Sequence, residues 1–589
     1  MQKLAAIAER AVQICATLAI FTFFVSGVAY MYLGRWKVTH TDYWAIYDIC
    51  LNHTWLESAL LKFNNHSLFF PSFLWLANLR FFHGDQQPLF FAGLTLLSIT
   101  ALLLLIPVWR DKTASLTAKI MSTLVVIVGN FWMGRATIIA SGGFNCINSS
   151  VMVAAALAFL LLPMMSDNAP RVLPITVIVI SAGFVASFSF ATGLAIWPTV
   201  LCLGWCLRLP RYSVLLLALA GITAAVLFVL LPPHDADLQA AYWSLPSVAY
   251  TTVIWLCRLI GSPFSYAVFA WGPDKFYRHL IESSGLALWS GAIGLALAAL
   301  AVLPQIIRRN IQKSALQFTG LALVIFNIFA LLLVTAGRSA REPFSLSVAP
   351  RYLFWSTLFW TGLFLVAIQR AESRRWLRWP IYLAALALPV LFFPKHYKEG
   401  LSRRRVMSQA GAGAVSLVNG VRDEQITRIL FYNPKKMYRV AEELRARRLD
   451  MFADGLQDWI GHDEVSLFAG RHKPRGLKGQ CSVVALTQGD KGAPAARVLG
   501  QAWEEGNSIP NILVIVDPTG VIRGVARSSM TSPFINRVFY LGKSPPDGFL
   551  GYIRDYDPQL QYAVRSADDG ILSEEAIPVQ IPPIEPVKP

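Results

Sequence analysis

Apolar runs of near-constant length, separated by short polar breaks, fill the chain to about residue 394; beyond it the pattern is that of a water-soluble protein. A helix crosses a ~30 Å hydrocarbon core with roughly 20 apolar residues. By that criterion eleven spans are expected, at about 11–33, 89–109, 117–134, 150–165, 172–190, 192–208, 213–231, 285–306, 317–336, 352–369 and 380–394. The first follows Lys3 and Arg10 as a signal sequence would, but no small-x-small cleavage site comes after it, so it is read as a retained span. The fold class expected is a polytopic α-helical membrane protein with a C-terminal soluble domain.

The polar breaks orient these spans. With the N-terminus in the cytoplasm, the inner breaks hold Arg110, Lys112 and Lys119; Arg171; Arg208 and Arg211; Arg308, Arg309 and Lys313; and Arg370, Arg374, Arg375 and Arg378. Each is basic, as inner loops tend to be. An odd number of spans then leaves the C-terminal part outside. The long outer loops are 34–88 and 232–284, with shorter ones at 135–149 and 337–351. The two long loops carry aromatic and aliphatic residues at helical spacing, as in "AIYDICLNHTWLESALLKF" and "AAYWSLPSVAYTTVIWLCRLI", which predicts helices lying at the interface.

Residues 1–394 are therefore read as the membrane domain. A basic, helical connector follows at 395–480, and "PKKMYRVAEELRARRLDMFAD" has the spacing of an amphipathic helix. From 481 to 575 short apolar runs alternate with turn residues, "DPTG" among them, which predicts a β-sandwich-like domain. The end, 576–589, is Pro-rich and predicted extended.

Composition sharpens this picture. The 589 residues are 55% hydrophobic and only 15% charged, against roughly 25% charged in ordinary soluble domains. A net charge of +17 would suggest nucleic acid in a soluble protein. Here the positive charge gathers in loops, with no aromatic-interleaved basic stripe, so no nucleic-acid partner is expected. The seven cysteines have no metal-ligand spacing. No Walker A loop, HExxH or GxSxG is present. Ionisable groups are sparse within the spans, which argues against a proton-coupled pump.

Candidate chemistry lies in the outer loops. Asp42, in "VTHTDYWAIYD" beside Tyr43 and Trp44, can serve as a general base at a membrane-apposed site; a solvated loop carboxylate is the equal alternative. In "FNNHSLFFPSFLWL", Asn64, Asn65 and His66 can hydrogen-bond sugar hydroxyls or a phosphate; equally, Asn can cap an interfacial helix. "SLSVAPRYLFWSTLFW" puts Arg351 and Tyr352 where the tenth span begins, with Arg338 and Arg341 close by. Arginines in an outer loop run against the charge rule, and guanidinium suits phosphate; a lipid-headgroup anchor is the plainer account. Arg135, at the outer end of the third span, is a weaker instance.

One outward span, a long outer loop with Asp near its start, and about ten further spans resemble the GT-C superfamily of glycosyltransferases that use polyprenyl-phosphate sugars. "TDYW", "FNNHSLFFPSFLWL", "APRYLFWSTLFW" and the tail's "VLGQAWEEGNSIPNILVIVDPTGVIRGVA" are similar to a bacterial group with an exoplasmic β-domain. The resemblance implies an inverting transferase in the bacterial inner membrane, with the C-terminal domain periplasmic. The donor would be a polyprenyl-phosphate-linked sugar and the acceptor a cell-envelope glycan or a surface protein such as a pilin. Asp42 would be the base and Arg351 the carrier-phosphate contact. The chain departs from the group in having Asn65 where it has Glu and Ser67 where it has Arg. Losing that carboxylate weakens the case for a bound divalent metal, and no other cofactor is implied. Two further readings stay open: a lipid-linked glycan ligase or phosphoryl-group transferase, and a non-enzymatic membrane receptor or transporter.

Overall fold

The computed structural model describes residues 2–580 apart from 168–170, 234–244, 273–280, 282–284, 309–313, 340–341, 470, 474–475, 487–492, 505–509 and 529–547. Arg341, Arg309, Lys313 and the last nine residues of the Pro-rich end thus lie outside the described residues. The chain forms two compact units. The first is Met1–Arg35, His53–Leu76 and Gln87–Arg404; the second is Trp36–Asn52, Ala77–Gln86 and Arg405–Pro589.

Among the described residues, eleven helices are long and apolar enough to cross a membrane. The number matches expectation, but one member differs. The expected span 192–208 is a shorter apolar helix, Ala191–Leu207, whereas Tyr250–Phe269, expected as part of an outer loop, has span length. The loop reading failed because Arg258 and Pro263 interrupt the run and lower its mean hydropathy to 1.3. What makes it a packed helix is close approach. Gly261 and Gly291 let it press against Leu286–Arg308, since a Cβ on Gly291 would stand 1.7 Å from the Cys257 carbonyl oxygen. Small residues commonly serve this way between membrane helices, where water exclusion contributes little.

The last span-length helix belongs to a 44-residue helix, Arg375–Val418, instead of stopping at 394. Pro380, Pro389 and Pro394 sit inside it. Prolines of this kind are tolerated in membrane helices because neighbouring groups satisfy the freed carbonyls.

In the second unit the expected amphipathic helix is Pro434–Ala446, capped by Asn433 and burying Met437, Val440, Ala441 and Leu444. The β-rich domain has β1 Leu477–Leu486, β2 Ala495–Glu504, β3 Ile512–Val516, β4 Ile522–Ser528, β5 Gly548–Arg554, β6 Ala563–Ser566 and β7 Ile577–Gln580. They close into a barrel in the order β1-β2-β5-β4-β3-β6-β7, where two facing sheets were expected. Closure comes from β7 pairing parallel to β1, Val579 opposite Cys481. "DPTG" is the β3–β4 turn, with the Asp517 carboxylate accepting from the Thr519 and Val521 amides. Inward residues such as Val498, Leu513, Ile515 and Ile553 fill the barrel.

Candidate functional site

The predicted site residues divide between the units. In the first, Phe63 and His66 exchange both backbone hydrogen bonds, at 3.0 and 2.8 Å. The two residues between them, Asn64 (φ +49°) and Asn65 (φ +61°), are left-handed. That is a two-residue hairpin turn, and Asn is favoured there because its short side chain tolerates positive φ. So Asn64 and Asn65 form a turn and do not cap a helix; both side chains are exposed.

His66 follows with its ring against Phe190, centroids 4.1 Å apart. Its Nδ1 is buried without a hydrogen-bond partner among the described residues. Burial, and then the charge of Arg338, push its pKa down to about 3. The ring is therefore neutral near pH 7, suited to bonding a hydroxyl and not to attracting a phosphate by charge.

Arg338 and Arg351 share one carboxylate. Glu342 takes Arg338 Nη1 at 2.7 Å and Arg351 Nη2 at 3.2 Å. Arg351 is exposed and also lies over the Tyr352 ring, 4.9 Å from its centroid. The arginines expected in an outer loop are thus partly neutralised by a Glu four residues after Arg338.

Arg135 differs. It is 0% exposed, held by the short turn Met133–Arg135 that packs against the turn Pro350–Tyr352. Nη2 donates to the Asn130 carbonyl at 2.5 Å and the guanidinium lies 4.4 Å from the Phe354 ring centroid. Its Nε and Nη1 have no partner among the described residues, and neither does the buried Tyr352 hydroxyl. A buried charge with unmet donors costs several kcal/mol, and an anion would supply what is missing. Two residues along the chain from Arg135, Thr137 accepts from Arg403 at 2.7 Å.

In the second unit Asp42 stands at the head of the helix Tyr43–Asn52, its carbonyl accepting from Ala45 and Ile46 at 3.1 and 3.0 Å. Its side chain is half-buried. Tyr43 and Trp44 are fully buried, with Tyr43 edge-on to Trp36 and Tyr47. One turn on, Asp48 binds Arg439 at 2.7 Å and Lys436 at 3.2 Å. Asp450 turns its carboxyl inward and accepts from the Thr39 amide at 3.0 Å. Burial, with a smaller part from Asp85, pushes its pKa up to about 6.

Sequence reasoning missed Glu342 and Asp450. Glu342 left a signal, the i, i+4 spacing from Arg338. Asp450 left none, since its partner is 411 residues away. Among the described residues no three His, Cys, Asp or Glu converge as a metal-holding group. Cys50 and Cys146 are buried free thiols.

No family model matches the chain, and no curated protein matches it. Among solved structures, an oligosaccharyltransferase from Archaeoglobus fulgidus, crystallised with zinc and sulfate, is similar at 12% identity and a TM-score of 0.33. The match covers 70% of this chain and 57% of that one, so the chain spans a little over half the neighbour's length. A superposition that loose carries no reading of activity.

Proposed function

We propose that this protein is a membrane glycosyltransferase that moves a sugar from a polyprenyl-phosphate carrier to an acceptor at the outer face of a bacterial inner membrane. The observation that carries the reading is Arg135, a wholly buried guanidinium with two nitrogens lacking partners among the described residues. It lies on a turn packed against the one bearing Arg351 and Tyr352. A carrier phosphate satisfies such donors through charge-assisted hydrogen bonds. The motifs around Asp42, His66 and Arg351 supply the resemblance, and the span-length helices supply the lipid setting.

In this reading each residue acts by its own chemistry. The Asp42 carboxylate takes the proton of the acceptor hydroxyl, whose oxygen bonds to the anomeric carbon from the face opposite the carrier. The bond from that carbon to the phosphate oxygen breaks, and its electron pair leaves with the phosphate, giving inversion. Arg135 and Arg351 stabilise the charge that develops there. Neutral His66 hydrogen-bonds a sugar hydroxyl.

The test is mass spectrometry of cell-envelope glycans and surface proteins, comparing cells that make the wild-type chain, no chain, Asp42→Ala or Asp42→Asn. A sugar-sized mass increment is expected with wild type alone, at equal membrane levels of the variants. Normal product in either variant would sink the mechanism. An increment the size of a preassembled glycan or a phosphoryl group would favour a ligase or phosphoryl transferase, and no difference between cells a receptor or transporter.

A further inference from the structure

Among the described residues of the second unit, two non-glycine residues hold left-handed backbone where nothing in their chemistry favours it: Thr41, at φ +52°, and Arg448, at φ +52°. Thr41 is the more telling, because a β-branched residue at positive φ is a true outlier and immediately precedes Asp42. Such a conformation is strained and persists only where the surroundings over-determine it. Here they do. The Thr41 amide donates to the Leu430 carbonyl at 2.6 Å, and the Thr39 amide to Asp450 Oδ2 at 3.0 Å. Asp450 is itself left-handed, at φ +53°, and its own amide is tied to the His83 carbonyl at 2.6 Å. Gly84 closes that contact from below: a Cβ there would stand 3.1 Å from the Asp450 nitrogen.

We infer that Asp450 is a positioning residue for the turn that presents Asp42. Its carboxylate clamps Thr39, the Leu430 carbonyl clamps Thr41, and between them the backbone is left one direction in which to send Asp42 and start the helix Tyr43–Asn52. Asp450 does not touch the reacting atoms. It acts through the peptide it holds, and it rests in turn on His83 and Gly84. The segment bearing the candidate base is therefore set by residues some four hundred positions further along the chain. The inference deepens the transfer reading above and rests on Asp42 being the base.

Hydrogen–deuterium exchange on the full-length protein in detergent micelles tests it, with Asp450→Ala and Asp450→Asn beside wild type. Asn keeps an oxygen acceptor and suits left-handed backbone, so exchange at residues 36–46 is expected to be no faster than in wild type. Ala is expected to speed exchange there at least tenfold while β3 and β4 stay protected, and to lower the cellular product at least tenfold. Unchanged exchange at 36–46 in the Ala variant overturns the inference. So does acceleration that extends through the barrel, which would make Asp450 a general support of the fold. Failure of Asn to restore either reading removes the acceptor role, and faster exchange with undiminished product removes the link to the reaction. Exchange is read without substrate: if Asp42→Asn keeps its product, the transfer reading fails and the exchange result is unaffected.

Discussion

Two sets of buried polar groups, one in each unit, are built in opposite ways. The first leaves donors open in its interior: Arg135 Nε and Nη1, the Tyr352 hydroxyl and His66 Nδ1 have no hydrogen-bond partner among the described residues. The second is a set of four aspartates with direct partners: Asp48 is held by Arg439 and Lys436, Asp423 by Arg497 and Tyr552, Asp517 by Arg523, and Asp450 by Thr39. A satisfied buried network is scaffolding, whereas an open buried donor marks a place that something else completes. The contrast makes Arg135, the weakest of the arginine candidates by sequence, the strongest by structure.

The sharpest way to break the contrast is Arg135→Met, which keeps much of the volume and removes the charge. Losing a charge-assisted contact to a departing phosphate is expected to lower product about 100-fold. Replacing an uncompensated buried ion by an apolar side chain is neutral or stabilising, so the thermal midpoint in detergent is expected to hold or rise. A lower midpoint with product retained would make Arg135 structural and erase the difference between the units.

Asp450 is tested through its ionisation. Its folded pKa, about 6, lies above the ordinary carboxylate value of 3.8. The folded state therefore binds the proton more tightly, and stability is lost as pH rises from about 4 through 6. Asp450→Asn cannot ionise. At pH 7.5 it is expected to be more stable than wild type by up to about 3 kcal/mol, with the gap closing near pH 4. Thermal melts at the two pH values check this.

His66 offers the complementary test in the first unit. Its folded pKa of about 3 is below the unfolded 6.5, so its stability is complete above pH 6.5 and is lost as pH falls toward 3. His66→Gln removes that dependence. Between pH 7.5 and 5 the wild type is expected to lose about 2 kcal/mol more than the variant. Parallel melting curves for the two proteins would show that the ring is not held in the dry setting described.

Much of this was readable in advance, for physical reasons that differ by element. Long apolar runs announce membrane-length helices because length and hydropathy are local properties. Tyr250–Phe269 escaped because Arg258 and Pro263 spoil the local pattern, while the glycine contacts that bury the helix are non-local. Six of the barrel strands and the "DPTG" turn were legible; the seventh, Ile577–Gln580, lies in the end expected to be a Pro-rich tail, and closure was not legible because it depends on pairing residues near 481 with residues near 579. For the site, Asp42, His66, Arg135 and Arg351 could be named by type and place. That Glu342 spends part of the charge of Arg338 and Arg351, or that Asp450 reaches back to Thr39, is set by packing alone.

Arg351 provides the smallest effect and the finest discrimination. Its pair with Glu342 spans 3.2 Å, but the Arg351 side chain is 45% exposed, and pairs of that kind contribute about 0–1 kcal/mol. Arg351→Gln should therefore shift the thermal midpoint hardly at all. Any loss of product in this variant cannot then be assigned to unfolding, and a loss several-fold smaller than that of Arg135→Met is expected because solvent can partly replace an exposed donor. Glu342→Gln separates the two uses of the residue. If Arg351 serves the carrier phosphate, releasing it from Glu342 should leave product unchanged or raise it. If the pair only holds its loop in shape, both variants should lower product together, and by the same factor.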